Sequence, residues 1–230
     1  DSENGKIQII SKEGHPITSF SVKGKNESYP VGIVKIEREI YVSDLEGGKI
    51  LVFKENGRFV KEFAQDKLIK PLGLSFFKDR LFVTDIGDHS VKVFNLKGDL
   101  LFKIGSFGDK KGTFAFPNAV ATDGERIFVS DSNNQRVQVF DKKGKFLKVF
   151  NYPLKLPRGI TLDNFSRVHV VDAFAQSVFV FDKEGNFLFN YGDFDSGECY
   201  LPNGIAIDES MARIYVTNRN GTISVFSYEK

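Results

Sequence analysis

Residues 117–150 read PNAVATDGERIFVSDSNNQRVQVFDKKGKFLKVF, and this stretch decides the fold. It opens on Pro117 and runs through small residues to Asp123; a β-branched and aromatic run, Ile127-Phe128-Val129-Ser130, then closes on Asp131. After a polar turn, Arg136-Val137-Gln138-Val139-Phe140 alternates polar and apolar residues, the pattern of a strand with unlike faces. Asp141-Lys142-Lys143-Gly144 predicts a tight hairpin turn with glycine at positive φ, and the segment from Lys145 to Phe150 predicts the returning strand. Proline suits the first position of the leading strand, where no ladder donor is required. The stretch therefore predicts four short antiparallel strands.

Its anchors recur along the chain. Asp131, Phe140 and Gly144 are matched by Asp44, Phe53 and Gly57, by Asp85, Phe94 and Gly98, by Asp172, Phe181 and Gly185, and at the N-terminus by Asp1, Ile10 and Gly14. The leading proline recurs too, as Pro30-Val31-Gly32, Pro71-Leu72-Gly73, Pro157-Arg158-Gly159 and Pro202-Asn203-Gly204, with glycine placed where backbones must approach closely. A period of about 40–45 residues marks a modular architecture whose units bury their faces by stacking on neighbours. Four-stranded units at this period are blades of a β-propeller. The units fall at 1–29, 30–70, 71–116, 117–156, 157–201 and 202–230, all within one domain. The first lacks two inner strands, and the last, with Asn218 in place of Asp, lacks an outer one. The direct reading is a six-bladed all-β propeller with an incomplete first blade, and the alternative is five blades. The deficit at Asp1 leads to the expectation of further sequence before it.

Composition agrees with a globular β protein: 41% hydrophobic, 27% charged, rich in Phe (24) and without Trp. The lone Cys199 excludes an intramolecular disulfide and a thiolate metal cage. No apolar run is long enough to span a bilayer, so no membrane insertion is expected. The net charge of +2, with both signs interspersed, argues against nucleic acid as a partner.

The stretch from Pro117 through Asp131-Ser132-Asn133-Asn134-Gln135-Arg136 to Phe140 and Gly144 resembles the NHL-repeat consensus. The preceding joint, Gly105-Ser106-Phe107-Gly108-Asp109-Lys110-Lys111-Gly112-Thr113-Phe114, is similar to the glycine-rich joint of that family. The resemblance covers essentially the whole chain, although the other units lose the Asn and Arg of the polar turn. It implies a propeller that binds partners at one mouth. Some propellers of this general architecture are metal-dependent enzymes, and some NHL propellers bind RNA through a basic face.

Candidate sites lie where the repeat is broken. The recurring aspartates are needed in every unit, so they read as acceptors for turn N–H groups rather than as catalysts. His169 takes a position held by Tyr41, Phe82, Phe128 and Tyr215 elsewhere and reads as a packed core residue with a polar partner. His15 reads as an exposed turn residue, and His89 as the one histidine in a binding-face turn. After the leading prolines stand Val31, Leu72, Asn118, Arg158 and Asn203. The two asparagines and the arginine suit a polar ligand, whereas Arg158 would repel a metal. Among the loop aromatics Phe107, Phe114, Phe116, Tyr152, Phe174, Phe194 and Tyr200, Phe116 reads as packed beneath the joint. Phe174 stands in a turn that is polar or glycine-bearing in other units, and reads as an exposed anchor. The lysine runs at 110–111 and 142–145 read as solubilising charges.

The sequence thus favours a non-catalytic binding platform for a protein partner, with Phe174, Tyr152, Arg158, Asn118, Asn203, His89 and Phe194 as its contact set and no cofactor. A metal-dependent hydrolase or lyase with an axial site is the alternative, and RNA binding a weaker one. The bare-domain form suggests an extracytoplasmic setting.

Overall fold

The computed structural model describes residues 1–22, 28–193 and 195–228, which excludes Phe194 of the expected contact set. Two compact units share the chain, one made of residues 1–88 and 92–103 and the other of residues 89–91 and 104–230.

The first unit begins with strands β1 (Lys6–Ile10) and β2 (Pro16–Ser21), which form a two-stranded sheet of their own. A four-stranded sheet follows from β3 (Pro30–Ile36), β4 (Glu39–Asp44), β5 (Lys49–Lys54) and β6 (Phe59–Phe63). The next is built from β7 (Pro71–Phe77), β8 (Arg80–Asp85), β9 (Ser90–Asn95) and β10 (Leu100–Ile104). Ile7 and Val22 of the N-terminal segment bury against Ile40, Val42, Leu51 and Phe53. A second layer joins Tyr41, Ile50, Val52 and Phe63 to Leu81, Val83 and Phe94. Phe63 meets Tyr41 and Phe94 edge to face, with centroids 5.6 and 5.9 Å apart, the arrangement the ring quadrupole favours.

The second unit holds two more four-stranded sheets and one of three strands. They are β11 (Pro117–Thr122), β12 (Arg126–Asp131), β13 (Arg136–Asp141) and β14 (Phe146–Val149); β15 (Pro157–Leu162), β16 (Val168–Asp172), β17 (Ser177–Phe181) and β18 (Phe187–Tyr191); and β19 (Pro202–Asp208), β20 (Arg213–Asn218) and β21 (Ile223–Ser227). All described pairings in these sheets are antiparallel. Phe128, Val139 and Phe150 pack with Val168, Val170 and Phe181 to make the core between the first two sheets, and Val171, Val178, Ile214 and Val216 make the next.

The fold is an all-β propeller of four-stranded antiparallel blades. Its sheets correct the blade count, because among the described residues four of four strands and one of three give five blades. The N-terminal hairpin supplies only two strands of a sixth register, so it does not make a blade. Local expectations fare better. Each leading strand starts on its proline, and Gly144 closes its hairpin at φ 85° with its N–H on the Asp141 carbonyl at 2.9 Å. A Cβ at Gly159 would lie 2.8 Å from the Asn203 carbonyl oxygen, so glycine is what allows β15 to approach β19.

His169 is a core residue, as its register predicts, at 2% exposure. One ring nitrogen lies 3.1 Å from the Asp163 carboxylate and the other 3.0 Å from the Tyr191 hydroxyl. Burial alone would raise the Asp163 pKa, but hydrogen bonds from His169 and Arg167 outweigh it and lower the value to about 2. Burial pushes the Tyr191 phenol up.

Candidate binding face

In four blades the acid at the end of the second strand fixes the joint that enters the blade. Asp172 accepts the N–H groups of Lys155 at 2.6 Å and Leu156 at 3.0 Å, then those of Phe174 and Ala175 in its own turn. Asp85 does the same for Ile69, Lys70 and Gly87, and Asp44 for Tyr29 and Gly47. A buried carboxylate must be satisfied, and here backbone donors satisfy it, so the recurring aspartates are structural. In the second unit this geometry brings three turns and three joints onto one face. The joints are residues 105–116, 151–156 and 192–201, ending against the turns at 131–136, 172–177 and 218–222.

The first of these turns is closed. Arg136 pairs with Asp131 at 2.8 Å and donates to the carbonyls of Asp109, Lys110 and Thr113. Asn134 bridges Asp131 and the Gly108 carbonyl, and Gln138 bridges Asp131, Thr113 and the Gly112 N–H. Asn134, Arg136 and Gln138 of the family-like stretch are spent on holding the joint, whereas Asn133 and Gln135 are exposed and the Ser132 hydroxyl donates to the Pro157 carbonyl.

The other two turns are open. Asp172 is consumed by backbone donors, yet Phe174 in the same turn is 62% exposed. At the last turn Asn218 accepts the Tyr200 N–H at 3.1 Å and turns its amide to Thr222 and Ser224. No carboxylate stands at that position, and the next residue is the exposed Arg219.

Asn118, Arg158 and Asn203 share a structural cause. The ladder register shifts between Pro117 and Ala119, between Pro157 and Ile160, and between Pro202 and Gly204, so all three residues sit in β-bulges. Bulges re-aim side chains, and the same shift occurs at Val31 and Leu72, so one re-aimed position is apolar in two blades and polar in three. Arg158 is half-buried, and its guanidinium pKa is lowered by burial first and by the charge of Arg219 second. Asn203 is exposed and Asn118 half-buried.

His89 is engaged rather than free. Its Nδ1 accepts the Phe116 N–H at 3.0 Å, and its ring packs against Phe107 and Phe116 with centroids 4.8 and 5.3 Å away. Phe116, expected beneath the joint, is 45% exposed, whereas Phe114 is fully buried and meets Phe140 at 5.6 Å. The reason is backbone geometry: Phe116 has φ 58°, a left-handed conformation unusual for a residue with a Cβ. Tyr152 does not stand free with Phe174. It stacks on Phe187 of the outer strand at 4.7 Å and contacts Phe179 and Phe181, so its ring belongs to the blade core. Cys199 is buried, and burial with nearby Glu198 and Asp193 pushes its thiol up to about 11. No group of three or more His, Cys, Asp or Glu side chains that could hold a metal converges among the described residues.

Sequence reasoning missed Arg219 and gave Tyr200 no special place. The available signal was the Asp-to-Asn break at Asn218, which leaves an adjacent arginine without the carboxylate found in other blades.

An NHL repeat is matched at residues 114–140, the closed turn and its flanking strands, so the chain carries at least one repeat of that family. Protein brain tumor from Drosophila melanogaster is 31% identical over 112 residues. That match takes in 46% of this chain and 11% of the fly protein's length. A catalytically inactive virginiamycin B lyase from Staphylococcus aureus, solved with quinupristin, superposes with a TM-score of 0.69 at 13% identity, over 98% of this chain and 78% of the lyase. A streptogramin B lyase superposes with a TM-score of 0.63 at 19% identity, over 87% and 69%. At these identities the likeness speaks for the fold alone.

Proposed function

We propose that this chain is a non-catalytic binding platform that engages a protein partner through the joint-and-turn face of its second unit. The observation that carries the reading is Phe174, 62% exposed in a turn whose backbone is pinned by Asp172. A large ring on a preorganised backbone costs little further order on binding, and such rings make the energetic centre of interfaces. Tyr200, also exposed, and the polar bulge residues Arg158, Asn118 and Asn203 supply a rim. Phe194 stays in the proposed contact set as a residue of the same joint as Tyr200, whereas Tyr152 is replaced in it by Tyr200.

The test is recovery of partners from a native extract by the wild-type chain and by Phe174→Ala. The expected result is loss of a defined protein from the variant, with unfolding midpoints unchanged. Equal recovery by a folded variant would overturn the assignment, and a nuclease-sensitive partner would move the reading to RNA.

The likeness to two lyases supports a second reading, a hydrolase or lyase acting near the bulge residues. A stoichiometric divalent cation in the native protein, measured by metal analysis, would favour it.

A further inference from the structure

The fourth strand forms one edge of each four-stranded sheet, and three of these strands carry a lysine: Lys61 in β6, Lys103 in β10 and Lys148 in β14. Lysine blunts an edge against pairing with another chain, since between two copies it would meet its own like charge. The fourth such strand, β18, has none. It reads Phe187-Leu188-Phe189-Asn190-Tyr191, and its first three residues are 40, 45 and 42% exposed. Arg167 lies over the rings of Phe165 and Phe189, at 4.8 and 5.8 Å, and Phe165 is exposed as well, so the apolar strip continues sideways from the strand.

The two ends of β18 carry opposite charge. In the turn before it, Asp182 accepts the N–H groups of Glu184 and Asn186, and Glu184 is taken up by Lys148 and Arg126. The exposed Lys183 is the charge left over there. After the strand comes the exposed Asp193, which keeps one carboxylate oxygen on the Ser196 N–H at 2.7 Å. Two antiparallel copies of β18 can meet on a two-fold axis at Leu188. That register sets Phe187 of one copy opposite Phe189 of the other, twice, and aromatic cross-strand pairs stabilise a sheet. It also brings Lys183 of each copy toward Asp193 of the other, because the two lie five residues on either side of Leu188.

We infer that β18 is the pairing edge for a second copy of this chain, which adds its own β18 antiparallel and closes a two-fold dimer. The strand is five residues long, so the contact is smaller than a standard interface and the dimer is reversible and concentration-dependent rather than obligate. It carries two joint-and-turn faces, and a partner with two epitopes gains from their effective concentration. The pairing does not depend on what that face binds.

Sedimentation equilibrium of the full chain over a range of concentrations tests it. The expected result is a monomer–dimer equilibrium that Leu188→Lys, which opposes two lysines on the axis, weakens about tenfold or more. Val225→Lys, at an exposed position on the open edge strand β21, should leave it unchanged. Lys183→Asp and Asp193→Lys should each weaken it, and an equimolar mixture of these two variants should recover a heterodimer, because each like-charge contact becomes an attraction. That recovery separates charge complementarity from local disturbance by either substitution. A chain that stays monomeric up to about 1 mM, a dimer lost through Val225→Lys but not through Leu188→Lys, or a mixture as weak as its components would overturn the pairing.

Discussion

The turn at 131–136 and the turns at 172–177 and 218–222 occupy equivalent places in neighbouring blades of the second unit, and they have opposite fates. In the first, Asp131 is met by one backbone N–H and by Asn134, Arg136 and Gln138, and the side chains reach on to the joint. In the others, backbone donors alone hold the acid, or an asparagine replaces it, and Phe174 and Arg219 are left facing outward. In the turn most faithful to the repeat, Asn134, Arg136 and Gln138 are engaged. The turns that departed from it leave Phe174 and Arg219 exposed, and those are the turns the proposed recognition uses.

Breaking the closed turn should have the largest effect. Asp131→Ala leaves Arg136, which is 16% exposed, without its carboxylate, and should cost about 3 kcal/mol or more in urea unfolding. Asn218→Ala removes only neutral hydrogen bonds and should cost about 1–2 kcal/mol. Equal losses would erase the contrast between the turns. The next effect concerns the approach that sets Arg158 in place. Gly159→Ala drives a Cβ toward the Asn203 carbonyl and should cost about 1–3 kcal/mol in the same assay.

Acid sharpens the comparison from another side. Because the folded pKa of Asp163 is depressed to about 2, its contribution is present above the ordinary aspartate range and lost as pH falls from about 4 toward 2. It should amount to roughly 1–2 kcal/mol, and Asp163→Asn should flatten the stability profile over that window. The smallest change in stability is expected at the open turn, where Phe174→Ala should stay within about 0.5 kcal/mol of wild type.

Much of the fold was legible because it repeats. The Asp, Phe and Gly anchors, the proline-led strands and the core placement of His169 follow from one register read several times. What repeats once, or not at all, was harder. The bulges that carry Asn118, Arg158 and Asn203 arise from strand pairing, which no single strand encodes. Tyr152 lies in a joint beside Pro153, and only the packed blade reveals that its ring stacks on Phe187. Phe116, expected beneath the joint, is turned out by one left-handed backbone angle, and Phe114 is the ring buried there. The sixth register was counted from an anchor at Asp1, but an anchor without its inner strands does not make a blade.

The most direct measurement is partner recovery by wild type, by Phe174→Ala with Arg158→Gln, and by Lys142→Gln with Lys143→Gln. The account predicts that the first double variant stays folded and loses the partner, while the second keeps it. Undiminished recovery by folded Phe174→Ala/Arg158→Gln would contradict the claim that the broken repeats form the binding face.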